Sequence, residues 1–109
     1  MASSREYLNF ILEQLSGLEE VSSRLMMGEF MLYYRGKLIG GIYDDRFLVK
    51  NVSSARAYMP EAALETPYEG AKEMLLVDNV DDREYLAGLF EAMHDELPAP
   101  KPKGRKNDR

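Results

Sequence analysis

The period of the apolar residues changes at Val21, and this constrains the chain more than any other feature. Before it, Tyr7, Leu8, Ile11, Leu12, Leu15 and Leu18 recur at helical spacing and make one apolar face. Ser3 and Glu6 stand three apart at its start, the spacing of a capping box. Gly17 suits the left-handed conformation that stops a helix. From Val21 to Val52 aromatic and branched residues alternate instead, broken at short intervals by turn residues. Ser22 to Met27 reads as a first strand ending near Gly28, and Phe30 to Tyr34 as a second. Arg35-Gly36-Lys37 is a tight turn. Leu38 to Tyr43 reads as a third strand, with Gly40 and Gly41 inside it. Asp44-Asp45-Arg46 is another turn, and Phe47 to Val52 a fourth strand. Turns this short join antiparallel neighbours, because a parallel pair needs a long crossover.

After the meander, Ser53 or Ser54 caps a short helix that runs through Met59 and ends at Pro60. Residues 60–72 hold Pro60, Pro67 and Gly70 and read as an irregular connection. Met74-Leu75-Leu76-Val77 is short and apolar, a fifth strand. Asp81 followed by Glu84 marks the start of the last helix, with Val80 placed to staple onto Tyr85. Tyr85, Leu86, Leu89, Phe90, Met93 and Leu97 form its buried stripe, and Pro98 and Pro100 end it. The expected fold is therefore α+β: an antiparallel meander sheet of about five strands, in the order α-β-β-β-β-α-β-α. Its N- and C-terminal helices pack on the sheet. The other sheet face would be open for docking, and periodicity does not say which face that is.

Charge divides the chain in two. Residues 98–109 carry five basic side chains against Asp108 and stand at +4, which leaves −9 for residues 1–97 out of a total of −5. The expectation is one domain over 1–97 and a basic, disordered tail over 98–109. Lys101, Lys103, Arg105 and Lys106 are the candidate nucleic-acid contacts. A handful of phosphate contacts gives weak, salt-dependent binding, and the acidic body opposes it. With no cysteine, thiolate metal sites and disulfides are excluded. No apolar run approaches the ~20 residues of a membrane span, and no signal-peptide pattern opens the chain, so the expected location is the cytoplasm, away from the membrane.

No catalytic, cofactor or metal constellation is legible. His94 is the single histidine and falls off the buried stripe, so an exposed polar role is expected. Asp44-Asp45 and Asp81-Asp82 lack the convergent oxygens a hard cation needs and read as a turn and a helix cap. Gly40 and Gly41 have no phosphate-loop context; they mark close packing, with a groove across their strand as the functional alternative. Arg24, Met26, Met27, Gly28 and Glu29 form the candidate interaction cluster. Strand alternation places Arg24 with Met26 and Met27 with Glu29, and methionine serves both core filling and adaptable docking surfaces. Tyr33, Tyr34, Tyr43, Tyr58 and Tyr68 suit a half-buried sheet and an interface equally.

The segment from Val21 to Lys37 carries an arginine, two methionines, a glycine, an aromatic, a Leu-Tyr pair and a turn glycine. It resembles the N-terminal domain of the TfoX (Sxy) family of bacterial competence regulators. Ile39 to Lys50, with its glycine strand, acidic turn and closing lysine, continues the resemblance. Pro67 to Lys72 and Leu97 to Lys103 are similar to stand-alone members, so that about residues 3–103 are covered. The resemblance implies an antiparallel sheet flanked by helices and a regulatory, non-enzymatic role. In full-length members that role is to promote expression of DNA-uptake genes with the cyclic-AMP receptor protein. It implies a stand-alone domain here, since no second helical domain follows Leu97. The expected partner is a protein, with the transcription machinery and a second copy of the chain both open. Weak nucleic-acid contact through the tail, or a small ligand beside Gly40-Gly41, are the alternatives.

Overall fold

In the computed structural model, which describes residues 4–97, three two-residue turns build the sheet. Strands β1 (Val21–Met26), β2 (Glu29–Tyr34), β3 (Lys37–Tyr43) and β4 (Arg46–Val49) follow one another as antiparallel hairpins. The closing pairs are Met26 with Glu29, Tyr34 with Lys37, and Tyr43 with Arg46. Both central residues of each turn have positive φ: Met27 and Gly28 at 56° and 85°, Arg35 and Gly36 at 52° and 82°, Asp44 and Asp45 at 53° and 57°. That is the type I′ pattern, whose twist matches the twist of the strands it joins. The expected first strand therefore ends one residue early, and Met27 belongs to the turn.

With β5 (Leu64–Glu65) and β6 (Met74–Leu76), six strands form the sheet, in the order β1-β2-β3-β4-β6-β5. The addition to the expected five is β5, two residues inside the connection over 60–72. It pairs with β6, which lies between it and β4. A bulge between Leu32 and Tyr33 in the β2–β3 register accommodates Ile39 as an extra residue on β3.

All the helices cover one face. Helix α1 (Arg5–Gln14) buries Leu8 and Ile11, with Leu15 just beyond it. Helix α3 (Arg83–His94) buries Leu86, Leu89, Phe90 and Met93. Phe30, Leu32, Tyr34, Ile42, Phe47, Val49 and Leu75 meet them from the sheet. Each such large side chain contributes roughly 1.5–3 kcal/mol by leaving water. Tyr34 sits against both Phe90 and His94, with ring centroids 5.5 Å away in each case.

The caps correct several expectations. Ser4, not Ser3, starts α1: its Oγ accepts the Tyr7 amide at 3.1 Å, and Ser3 lies outside the described residues. Asp82, not Asp81, starts α3 by accepting the Tyr85 amide at 3.1 Å. In each doublet the second residue is the N-cap, its side-chain oxygen reaching the amide three positions ahead. Gly17 does not take the left-handed conformation; Glu20 does, at φ 63°. Helix α2 (Ser53–Tyr58) has no cap from its own sequence. His94 is not an exposed bystander either: its ring packs edge-on against Tyr34, and its carbonyl accepts Lys37 Nζ at 2.9 Å.

Candidate docking surface

Strand register settles which sheet face is open. Phe30, paired with Ile42, and Ile42, paired with Phe47, face the helices. Their neighbours along the chain face the other way. That face carries Arg24 and Met26 of β1, opposite Met31 and Glu29 of β2. The same helix-free face continues through Gly41 and Tyr43 of β3 to Leu48 of β4, where it is buried, and its exposed part is the β1–β2 end. Cross-strand partners share a face, so Glu29 lies with Arg24 and Met26. The expected separation of Glu29 from them is corrected, because Met27 and Gly28 form the turn and reset the alternation.

The candidate interaction residues gather at one hairpin tip. Met27 is 99% exposed, Leu25 61% and Met26 47%. Leu25 is paired with Phe30 on the helix side, but the helices leave it in water. β1 is one edge of the sheet, opposite β5, and pairs with β2 alone. Gly28 holds the second, positive-φ turn position. Glu29 accepts the Asp44 amide at 3.3 Å and so ties the first turn to the third.

Gly40 and Gly41 serve packing. A Cβ on Gly40 would run into the Leu48 carbonyl oxygen and lie 2.8 Å from Val49 Cα. A Cβ on Gly41 would lie 2.7 Å from the Phe30 carbonyl oxygen and 2.9 Å from the Tyr43 ring. The close packing expected at the glycines is what the fold shows, and the alternative of a groove across them is not. The Tyr43 ring occupies the space over Gly41, its hydroxyl donating to Met31 Sδ at 3.4 Å. Tyr43 is only 5% exposed. Burial, with Tyr68, Glu29 and Tyr33 nearby, pushes its phenol above the ordinary value and keeps it a donor.

Two clefts flank this tyrosine. The smaller, about 310 Å³, is lined by Met26, Met27, Glu29, Met31, Tyr43 and Tyr68. The larger, about 500 Å³, runs from Tyr43 and Leu38 past Lys50 and Val52 to Pro67, Lys72 and Met74. Tyr43 and Tyr68 wall both, their ring centroids 6.5 Å apart. The connection carrying Tyr68 is held down by Arg46, which bonds Glu65 Oε1 at 2.5 Å and the Thr66 carbonyl at 3.4 Å. Tyr68 itself is 63% exposed.

Sequence reasoning placed Arg24, Met26, Met27 and Glu29 in one cluster, and the fold brings them together. It did not single out Met31, Lys50 or Lys72. Their signal is register, which appears only once the bulge and the first turn are known. The tail lysines and arginines, Lys101, Lys103, Arg105 and Lys106, lie outside the described residues. Among the described residues no three His, Asp or Glu side chains group to hold a metal ion. No described helix is long and apolar enough to cross a membrane.

The chain is 31% identical over 107 residues to an uncharacterized 12.7 kDa protein in the trpE 5′ region of Spirochaeta aurantia, covering 97% of this chain and 93% of that protein. It belongs to the same family. No model of a known protein family matches the chain, and no solved structure does. The shared length takes in the whole docking surface, from β1 to β6, so the relative is a direct comparison for it.

Proposed function

We propose that this chain is a non-enzymatic, regulatory interaction domain that docks a partner protein on the open face of its sheet and on the β1–β2 hairpin tip, in the cytoplasm. Met27 carries the reading. Its backbone is left-handed, which costs a side-chain-bearing residue roughly 1–2 kcal/mol, and its apolar side chain stands almost wholly in water. Neither property helps the fold. Both suit a flexible apolar contact presented to another surface, the use to which methionine is put on adaptable interfaces. The adjacent cleft, walled by Met31, Tyr43 and Tyr68, supplies the depth and the tyrosines typical of interface hot spots. The resemblance to TfoX N-terminal domains supports a regulatory partner, the transcription machinery first among them.

The test is a paired variant, Met26→Ser with Met27→Ser, used as bait beside the unaltered protein in lysate of the source organism. Both residues are exposed, so the thermal midpoint should stay within a few degrees. A protein retained stoichiometrically by the unaltered chain and lost from the variant is the expected result. Equal retention by both would remove the hairpin tip from the interface.

A further inference from the structure

The arginines and lysines of the described chain fall into two groups. Arg5 and Arg35 lie over the Phe30 and Tyr34 rings at 5.3 and 5.2 Å. Lys37 and Arg56 donate to oxygens of His94 and Asn51. Arg46 pairs with Glu65, and Arg83 with Glu13 at 3.8 Å. Arg24, Lys50 and Lys72 have no such partner among the described residues, in a body that stands at −9. All three sit at the open face. Arg24 is opposite Met31 on β2, while Lys50 and Lys72 line the larger cleft. In a body with twice as many acids as bases, unspent cations on one face are a local charge pattern.

We infer that the open face takes an extended acidic segment of the partner protein, an apolar side chain entering the methionine cleft and carboxylates facing Lys50 and Lys72. This rests on the docking reading above and names the partner's chemistry. Glu29 and Glu73 are the acids on the cleft walls. Glu29 is turned to the Asp44 amide, and Glu73 forms no ion pair with either lysine. The distant acids of the body are screened at physiological salt, where the Debye length is about 8 Å, while contacts to the lysines are not. A nucleic-acid backbone fits poorly. Duplex DNA presents a charge about every 1.7 Å along its axis, against three separated cations in an acidic body.

The experiment titrates the ¹⁵N-labelled full chain with two synthetic peptides of equal length, each holding two leucines, one otherwise rich in glutamate and the other in lysine. An oligothymidylate is the third probe. The glutamate peptide should shift the amides of Met31, Tyr43, Lys50 and Lys72, and Lys50→Glu with Lys72→Glu should weaken it about tenfold or more, as loss of close charge pairs does. No movement of those amides, or equal movement with the lysine peptide or the oligonucleotide, overturns the inference. The two readings fail separately. If the native partner is lost by the methionine variant but fully kept by the lysine variant, docking stands and the acidic segment falls. If the methionine variant keeps it, docking itself falls.

Discussion

Glu96, just beyond α3, caps helix α2 by accepting the Ser53 hydroxyl at 2.6 Å and the Ser53 amide at 3.2 Å on the same carboxylate oxygen. Its other oxygen accepts the Ser54 amide at 2.7 Å. A helix with no cap of its own thus borrows one from a residue 43 positions away.

These bonds, the Ser53 hydroxyl first and Ser54 next, lower the Glu96 carboxyl from 4.5 to about 2. A depressed carboxylate adds stability that is complete above the unfolded value and is lost as pH falls through the folded one. The contribution should hold above about pH 4.5 and vanish towards pH 2. Glu96→Gln should lower the melting temperature at pH 7 and leave it unchanged near pH 2. A carbon-detected titration of the Glu96 carboxyl near 4.5 would show that the cap does not form in solution.

Met27→Asn should stabilise the fold by about 1 kcal/mol, because asparagine tolerates the left-handed turn position and Asn-Gly is the favoured type I′ pair. Urea unfolding measures it. The same variant should bind the partner less well, so that stability and docking move in opposite directions.

Gly41→Ala should cost about 1–3 kcal/mol by overpacking. The new methyl meets the Phe30 carbonyl and forces the Tyr43 ring off Met31. Gly40→Ala should be worse, since its methyl meets only backbone. Denaturant midpoints rank the two; equal and small losses would mean that the strands separate easily there.

Arg46→Ala should cost about 1 kcal/mol, the scale of a partly exposed pair. It should also release the connection that carries Tyr68. Amide exchange at Leu76, which bonds the Ala63 carbonyl across β5, should quicken more than exchange at Ile42 in the core.

Much of this architecture was legible. The stripes of α1 and α3 follow the helical period, and Leu8, Ile11, Leu86 and Phe90 are buried as that period requires. The turns at Arg35-Gly36 and Asp44-Asp45 carry Gly36, Asp44 and Asp45, residues that tolerate positive φ. Met27 reads as strand because methionine is no turn former; only Gly28 signals the reversal. β5 was invisible because two residues carry no period, and β6 alone defines it. The helix caps shifted by one because Ser3-Ser4 and Asp81-Asp82 each offer two acceptors. The candidate site was half legible: its hairpin tip is local in sequence, whereas Tyr68, Lys50 and Lys72 reach it only through the folded connection.

A photoactivatable side chain placed at position 27, compared with one at position 91 on the exposed helix side, tests docking at the hairpin tip most directly. On irradiation in cells of the source organism, position 27 should give one discrete adduct with another protein, and position 91 should give none. The same adducts from both positions, or none from position 27, would contradict a partner seated on the open face.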